Sequence, residues 1–344
     1  MIINNRKIND KNPPYMIAEM SGNHAGDIKK AKDIIRAAKD AGADAIKIQT
    51  YTPDTMTINT DKESFIVHDG LWSERNLYEL YQEAHTPWEW HDELFNEAVK
   101  CDITLFSTPF DTTAVDFLEK LNVPAYKIAS AELIDLNLIT RVCETKKPII
   151  LSTGMANLGE IEESVNLLNK YSVEYALLHC ISGYPTEVEE LNLTTLCNLK
   201  STFNTIVGFS DHTKGTIAPL VAVSLGANII EKHVTLSKDD TTVDSEFSIS
   251  MKEFEILKMD CELAWKAVGK VNYSCAPSEV PITKFRRSLY VVSDIQKGDE
   301  FTIDNVKSIR PAGGLKPKYL NEIIGKKSRK FLEKGTPLNW EYIE

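Results

Sequence analysis

Long hydrophobic runs are missing from this chain, and their absence excludes one class of protein. Apolar runs such as residues 149–151 and 218–223 fall far short of the ~20 residues that a membrane-spanning helix needs. The first ten residues are polar and mixed in charge, without the apolar segment of a secretory signal. We therefore expect a cytoplasmic globular protein with no membrane partner.

Cysteine is sparse and is not clustered. The six cysteines occur singly, with no Cys-x-x-Cys pair. Disulfide frameworks and structural zinc sites both need matched cysteine spacings. This pattern predicts reduced thiols. The cysteines are Cys101, Cys143, Cys180, Cys197, Cys261 and Cys275.

Positive charge is scarce except at the C-terminal end. The net charge is −11, yet residues 284–344 carry 13 Lys and Arg against 8 Asp and Glu. A basic tail on an acidic body is one pattern of nucleic-acid binding. No recognition helix or aromatic stacking platform accompanies it here, so we expect no nucleic-acid partner. The pattern favours a small domain that packs on the acidic body or reaches an anionic substrate.

Short apolar runs alternate with amphipathic, helix-like stretches along the first 270 residues. Such alternation predicts parallel strands covered by helices, and eight units in about 270 residues match a closed (β/α)₈ TIM barrel. The longest interruption, residues 51–87, is a large insertion after the second run. The eight runs are residues 15–20, 43–49, 103–108, 125–130, 148–153, 175–181, 205–210 and 227–234.

The pattern changes after a predicted helix at residues 251–268. Residues 271–284 look like a linker, and residues 285–344 contain short strands separated by Gly and Pro turns. We predict a barrel domain at 1–270, a linker at 271–284 and a small β-rich domain at 285–344.

Polar side chains stand at the C-terminal end of every predicted strand, where barrel enzymes keep their chemistry. Lys47 and Lys127 interrupt otherwise apolar strands, and a buried lysine is costly unless an anion partners it. A single lysine of this kind needs no anion, since its long side chain can bring the ammonium group to solvent at the barrel rim. Two of them, with Ser and Thr at neighbouring strand ends, favour a clamp for phosphate and carboxylate groups.

Two histidines end consecutive predicted strands. Neighbouring strands lie about 5 Å apart, so His212 and His233 are placed to bind one divalent cation. Asp211 and Glu231 flank them as candidate hydrogen-bond partners. The alternative is two buried, hydrogen-bonded histidines. The residue types leave the metal open among manganese, magnesium, zinc and iron.

At these positions the sequence resembles the sialic acid synthase family over essentially its whole length. The shared motifs are IAEMSGNHAG, IKIQTYT, FSTPFD, YKIAS, ILSTGMA, YPT, GFSDHT and IEKHVTL. The C-terminal segment resembles the antifreeze-like (SAF) domain of that family. Within the family, YTPDTMT, LYELYQEAHTPWEWH, VDSEFS and KFRRSLYVV are most similar to the bacterial pseudaminic acid synthases.

The resemblance implies roles for individual residues. The metal ligands are His212 and His233, with Mn²⁺ or Mg²⁺ as the expected ion. Phosphoenolpyruvate is held by Lys47, Thr108, Lys127, Ser130, Ser152, Ser182 and Ser210, where Ser182 replaces the asparagine of N-acetylneuraminate synthases. Sugar-contacting positions are Glu19, Gln49, Tyr184, Asp244 and Arg310, the last supplied by the partner subunit of a domain-swapped homodimer.

The implied reaction condenses phosphoenolpyruvate with an amino-sugar aldehyde. Lys47, Lys127, His212 and His233 are then catalytic, and Glu132 is the candidate that positions or deprotonates the attacking water; a carboxylate at a helix start explains Glu132 equally well. Pseudaminate is the expected product, partly because of Ser182 and the aromatic stretch at residues 88–91. N-acetylneuraminate and legionaminate synthases use the same chemistry. A Schiff-base aldolase using Lys127 and a non-catalytic sugar-binding barrel are more remote alternatives.

Overall fold

Eight parallel strands form the centre of the first part of the chain. The structure is a computed structural model that describes residues 1–238 and 241–344, and its contacts divide the chain into two compact units, Met1–Gly269 and Lys270–Glu344. The strands of the first unit are β1 (Tyr15–Glu19), β2 (Ala45–Thr50), β3 (Thr104–Pro109), β4 (Tyr126–Ile128), β5 (Ile149–Ser152), β6 (Tyr175–Cys180), β7 (Ile206–Asp211) and β8 (Ile229–Thr235).

The sheet closes on itself. Each strand pairs in parallel with the next along the chain, and β8 pairs with both β7 and β1. Ile229 therefore lies opposite Gly208 on one side and opposite Tyr15 on the other. A two-residue strand, β9 (Ile249–Ser250), adds to the end of β8. The predicted (β/α)₈ barrel is confirmed.

Helices cover the outside of the barrel, each with one apolar face. Side-chain caps start several of them: Asp27 accepts a hydrogen bond from the Lys29 backbone (2.7 Å), and Asn157 and Ser250 form capping boxes. The helices that follow β1, β3 to β7 and β9 are, in order, α1 (Ile28–Asp40), α3 (Thr112–Lys120), α4 (Leu136–Glu144), α5 (Leu158–Tyr171), α6 (Thr195–Phe203), α7 (Ile217–Ser224) and α8 (Met251–Val268), and α2 (His91–Lys100) precedes β3.

Residues of each strand alternate between two separate apolar clusters. In β1, Ile17 belongs to the cluster inside the barrel, whereas Ala18 belongs to the cluster between strands and helices. Ala45, Ala125, Ile150 and other interior residues fill the N-terminal end of the barrel. Because side chains alternate with period two, the interior positions further along each strand must face the C-terminal end.

The insertion after β2 is ordered as short helices. It contains helices at Pro53–Met56 and Leu77–Ala84 and 3₁₀ turns at Glu63–Phe65 and Trp88–Trp90. Asn76 caps the second helix by accepting a hydrogen bond from the Tyr78 backbone at 2.8 Å. At the opposite end of the barrel, a short hairpin pairs Ile2–Ile3 with Arg6–Lys7.

The second unit, Lys270–Glu344, has its own small core. Two antiparallel strands, β10 (Ser288–Val291) and β11 (Val306–Ile309), lie beside short turns and the helix Leu320–Ile323. Nine residues from Leu289 to Ile343 form its apolar cluster.

Within the described part of the chain, every helix is too short or too polar to cross a lipid bilayer. The six cysteines are free thiols, as predicted.

Candidate active site

A cavity of about 410 Å³ opens at the C-terminal end of the barrel strands. Its volume lies in the range of small-molecule sites. Both lysines and both histidines line it, so the residues predicted to carry chemistry meet at one mouth. The other predicted residues that line it are Gln49, Ser130, Glu132, Ser152, Ser182, Tyr184, Ser210 and Asp244.

Lys47 is buried at the base of the cavity among three oxygen groups. Its Nζ lies 2.9 Å from Glu19 Oε2 and 3.5 Å from Glu231 Oε1, and it donates to Thr108 Oγ1 at 3.0 Å. Glu19 and Thr108 contact Lys47 from behind and are not among the described residues that line the cavity. Burial alone lowers the pKa of Lys47, but the two carboxylates outweigh it and raise the pKa. Lys47 is therefore a fixed cation.

Lys127 is the second buried cation. Its Nζ donates to Ser152 Oγ at 2.6 Å and to the Ile128 carbonyl at 3.1 Å, and lies 3.9 Å from Glu231 Oε1. Burial lowers the pKa of Lys127, against the attraction of Glu231. Glu231, which also accepts a hydrogen bond from Ser210 at 3.0 Å, thus lies between the two ammonium groups.

Two hydroxyl groups converge on Gly154, just after β5. The Gly154 backbone N–H donates to Ser130 Oγ at 3.1 Å. A Cβ atom at this position would lie 2.5 Å from Ser182 Oγ and 2.7 Å from Ser130 Oγ. The absence of a side chain leaves an opening lined by hydroxyl groups, which suits an anionic oxygen. Gly154 was not singled out from the sequence.

The two histidines lie side by side on β8 and just past β7. Their ring centroids are 5.3 Å apart. His212 Nδ1 donates to the Ile181 carbonyl at 2.9 Å, which leaves Nε2 as the nitrogen able to bind a cation. Burial, and then the neighbouring His212, lower the pKa of His233 well below its ordinary value. A neutral imidazole is the form that binds metal. Burial lowers the pKa of His212 too, but the neighbouring Cys180 outweighs it and raises the pKa, so a cation bound there would displace a proton.

The carboxylates expected to hydrogen-bond to these histidines pair with lysines instead. Asp211 points to the outer face of the barrel, where it pairs with buried Lys232 at 2.7 Å. Glu231 contacts Lys47, Lys127 and Ser210 instead. The prediction that Asp211 and Glu231 are hydrogen-bond partners of the histidines is therefore wrong, because strand alternation turns Asp211 outward and the lysines hold Glu231.

The histidine pair nevertheless fits a divalent cation. His233 Nδ1 is buried and has no hydrogen-bond partner within residues 1–238 and 241–344. Buried polar atoms without a partner are rare, because they lower the stability of the fold. No group of three candidate metal-binding side chains occurs among the described residues. His212 and His233 would supply two imidazole nitrogens to a divalent cation, which would need further oxygen ligands from water or substrate.

Three predicted sugar contacts line the upper part of the cavity. Gln49 Nε2 donates to Glu19 Oε1 at 3.1 Å and to Ser21 Oγ at 3.0 Å, and its side chain lines the cavity. The Asp244 carboxylate accepts from the Gly22 backbone at 3.3 Å, and burial raises its pKa. The Tyr184 ring lies 4.4 Å from that of His212.

Glu132 follows β4 in the 3₁₀ turn Ala131–Ile134 and lines the cavity. Burial raises its pKa to about 7. Its Oε2 atom is buried without a hydrogen-bond partner in the described ranges. A carboxylate with this pKa can accept a proton near neutral pH.

Arg310, the remaining predicted sugar contact, lies in the second unit, where it is exposed just after β11.

The insertion contributes a wall that sequence reasoning missed. Tyr51, Trp72, Leu80 and Tyr81 line the cavity. Trp72 Nε1 donates to the Val243 carbonyl at 2.9 Å and its ring lies 5.4 Å from that of Tyr184. The amphipathic pattern of residues 77–84 gave no sign of this, since a helix packed on the barrel has the same pattern.

The aromatic stretch at residues 88–91 has a structural role. Trp88 stacks on Phe117, with ring centroids 4.6 Å apart, and donates to the Tyr51 carbonyl at 3.1 Å. His91 Nε2 lies 2.8 Å from Thr50 Oγ1. Neither Trp88 nor Trp90 is among the described residues that line the cavity. The stretch attaches the start of α2 to the barrel, so it is no evidence for a particular sugar.

Known proteins with similar sequences span nearly the whole chain. The pseudaminic acid synthase of Helicobacter pylori is 44% identical over 96% of this chain and 98% of its own. An N,N'-diacetyllegionaminic acid synthase of Campylobacter jejuni is 37% identical over 90% of this chain and 94% of its own. The crystal structure of N-acetylneuraminic acid synthetase from Leptospira borgpetersenii superposes with a TM-score of 0.75, at 33% identity, covering 83% of this chain and 95% of that one.

Sequence models of two families match adjacent parts of the chain. The NeuB family matches residues 34–273, and the SAF domain matches residues 286–344. The resemblance to sialic acid synthases and the antifreeze-like C-terminal domain are both confirmed. The chain therefore belongs to the NeuB family and carries a SAF domain that follows the barrel in the sequence.

Proposed function

We propose that the chain is a pseudaminic acid synthase. It condenses phosphoenolpyruvate with 2,4-diacetamido-2,4,6-trideoxy-L-altrose and water, giving pseudaminate and phosphate. The observation that carries this proposal is that Lys47, Lys127, His212 and His233 open into one cavity. The identity of 44% to a pseudaminic acid synthase over 96% of the chain supports the choice of sugar.

Phosphoenolpyruvate occupies the base of the cavity in this proposal. Lys47 and Lys127 attract its phosphate and carboxylate groups, and the Gly154 opening with Ser130 and Ser182 takes further anionic oxygens. Such fixed donors stabilise charge without the reorganisation that water requires. The incoming anion competes with Glu231, which holds both ammonium groups in the structure.

The sugar aldehyde lies above, with its carbonyl end beside the histidine pair. His212 and His233 would hold the divalent cation, Mn²⁺ or Mg²⁺, whose chemistry is to polarise the aldehyde oxygen as a Lewis acid. Gln49, Tyr184 and Asp244 orient the sugar chain from the upper wall. This places the aldehyde carbon towards carbon three of the enol phosphate.

The reaction then needs one new carbon–carbon bond and one broken carbon–oxygen bond. Carbon three attacks the aldehyde carbon, and positive charge develops at carbon two of the former enol. Glu132 accepts a proton from the water that adds to carbon two. The resulting tetrahedral centre releases phosphate by cleavage of its C–O bond and loses its remaining hydroxyl proton with it, which leaves a keto group. The aldehyde oxygen takes up one proton, in balance with the one that Glu132 accepted, and becomes a hydroxyl group.

A phosphate-release assay with three aldehydes tests the proposal. The diacetamido-altrose substrate should give the highest kcat/KM, above the legionaminate precursor and N-acetylmannosamine. Release with none of the three contradicts the enzyme class, and a higher kcat/KM for another sugar changes the assignment within the family. A substrate adduct trapped by borohydride would instead favour an aldolase that uses Lys127.

We also propose that two copies of the chain form a domain-swapped dimer in the cytoplasm, with Arg310 of each reaching the other's sugar. The family resemblance supports the arrangement, and the free thiols support the compartment.

Arg310→Ala should lower turnover about 10- to 100-fold, since a lost charged contact costs ~1.5–3 kcal/mol. Arg286→Ala, another exposed arginine of the same unit, is the control. Unchanged activity in Arg310→Ala, or a monomer in solution, contradicts this.

A further inference from the structure

The cavity wall is divided into a polar and an apolar part. The base carries the charged and hydroxyl groups described above. The insertion contributes an aliphatic patch made of Met56, Val67, Leu77 and Leu80, all of which line the cavity. These four side chains offer no N–H or O–H donor to a ligand.

The patch is part of an ordered structure. The helices Pro53–Met56 and Leu77–Ala84 pack on each other. Val67 donates its backbone N–H to the Arg75 carbonyl at 2.9 Å and accepts from the Glu74 backbone at 2.7 Å. Asn76 Nδ2 donates to the Thr60 carbonyl at 2.9 Å, closing the loop between them. The aliphatic side chains are therefore held in place before a ligand arrives.

The direction of the sugar follows from the proposed function, on which this inference rests. The aldehyde carbon must lie beside the histidines and the enol phosphate at the base. The opposite end of the six-carbon chain then extends away from the base into the rest of the cavity, whose lining includes the aliphatic patch. Carbon six of the sugar is thus the group that meets the aliphatic patch.

A hydroxyl group and a methyl group at carbon six have opposite consequences against such a wall. A methyl group leaves water for an apolar surface, which is favourable. A hydroxyl group loses its water partners and finds none on the patch, which is costly. An added hydroxyl in an apolar pocket lowers kcat/KM by up to roughly 100-fold.

We propose that the aliphatic patch selects aldehydes whose chain ends in a methyl group, and that Met56 and Val67 are specificity-determining residues. The patch discriminates at carbon six only. It has no part in holding phosphoenolpyruvate.

The test compares two aldehydes that differ in one atom. They are 2,4-diacetamido-2,4,6-trideoxy-L-altrose and 2,4-diacetamido-2,4-dideoxy-L-altrose, which keeps the 6-hydroxyl. The full-length protein should show a kcat/KM ratio of about 10 to 100 in favour of the deoxy sugar. Val67→Thr and Met56→Gln add a hydrogen-bonding group at nearly constant volume, and each should reduce the ratio at least about fivefold. Ile58→Gln changes an exposed apolar residue of the same insertion and should leave it unaltered.

The outcomes separate this inference from the proposed function. Turnover of both aldehydes with a ratio near one overturns the inference, whatever the variants do, while leaving the synthase activity in place. A high ratio that Val67→Thr and Met56→Gln do not alter also overturns it. A KM for phosphoenolpyruvate that rises along with the loss of discrimination overturns it too, because the patch then acts through the base. No phosphate release with either sugar contradicts the proposed function itself.

Discussion

Lys47 holds its ammonium nitrogen 2.9 Å from Oε2 of Glu19, with both side chains buried beneath the cavity. Glu231 and Lys127 complete a cluster of two cations and two carboxylates. The clamp expected from the sequence is thus already neutralised by the protein's own carboxylates. Before the substrate binds, Glu231 reduces the cost of burying the two ammonium groups. An anionic substrate must then displace Glu231 from the lysines.

Lys47→Met tests this cluster. Turnover should fall at least about 100-fold, because a fixed donor to the anion is lost. The free energy of unfolding should also fall by about 3–5 kcal/mol at pH 8. Burial already raises the pKa of Glu19 to about 7, so without Lys47 its carboxyl must either take up a proton or stay charged without a partner. The double variant Lys47→Met/Glu19→Gln should recover part of the stability but no activity. Lys39→Met removes a partly exposed lysine paired with Asp102 and should change neither quantity. Urea unfolding and phosphate release measure both, and a stable Lys47→Met variant would contradict the ion-pair account.

Glu132→Gln tests the proton acceptor. Its loss should lower kcat about 100- to 10,000-fold. In the wild-type protein, kcat should rise with pH up to about 7, the pKa of Glu132, and level off above it, because only the ionised form accepts a proton. A wild-type profile that is flat from pH 5.5 to 8 would contradict this assignment.

Glu132→Gln, which should lower kcat, should raise the stability of the folded protein. The pKa of Glu132 is higher in the folded than in the unfolded chain, so ionisation of Glu132 lowers the free energy of unfolding. This loss grows from pH 4.5 to about 7 and is constant at higher pH. Glu132→Gln should therefore raise the free energy of unfolding by about 1–3 kcal/mol at pH 8 and hardly at pH 4. Equal effects at both pH values would show that the carboxyl is not strained in the folded state.

His233→Ala tests the cation site. Condensation should be abolished, whereas the calorimetric Kd for phosphoenolpyruvate should change less than about threefold, since imidazoles do not hold the anion in this scheme. Equilibrium dialysis with Mn²⁺ should show loss of binding to the variant independently of activity. Undiminished wild-type activity in the presence of a chelator would show that no cation is required.

Gly154→Ala tests the hydroxyl-lined opening. A methyl group there lies 2.5 Å from Ser182 Oγ and should raise the KM for phosphoenolpyruvate about tenfold or more, because it fills the space of an anionic oxygen. Gly159→Ala, early in α5, meets nothing nearer than 3.2 Å and is the control. An unchanged KM in Gly154→Ala would place the anion elsewhere in the cavity.

The barrel and the base of its cavity could be predicted because they depend on short-range patterns. Lys47, Lys127 and Glu231 occupy alternate positions in apolar strands, and period-two alternation places them inside the barrel. The same alternation, applied to Asp211, would have placed it outside. The prediction for Asp211 is wrong because Asp211 and His212 are neighbours in the chain, and neighbouring residues of a strand point to opposite faces.

The apolar wall could not be predicted, since it depends on how a 37-residue insertion folds back over the barrel. Leu80 follows the spacing of any amphipathic helix, and Trp72 stands in a polar stretch without periodicity. Their place at the cavity is fixed by long-range contacts, such as the hydrogen bond from Trp72 to Val243, 171 residues away. Local patterns carry no information about partners at that distance.

The buried pair of Asp211 and Lys232 lies on the reverse side of the strands that carry the histidines. Asp211 immediately precedes His212, and Lys232 immediately precedes His233, so this one contact braces the backbone behind both imidazoles. The separation of the two rings is thereby maintained from outside the barrel, by atoms that no substrate touches. A substitution on the outer face of β7 or β8 would accordingly lower the activity of the enzyme by shifting the two imidazoles.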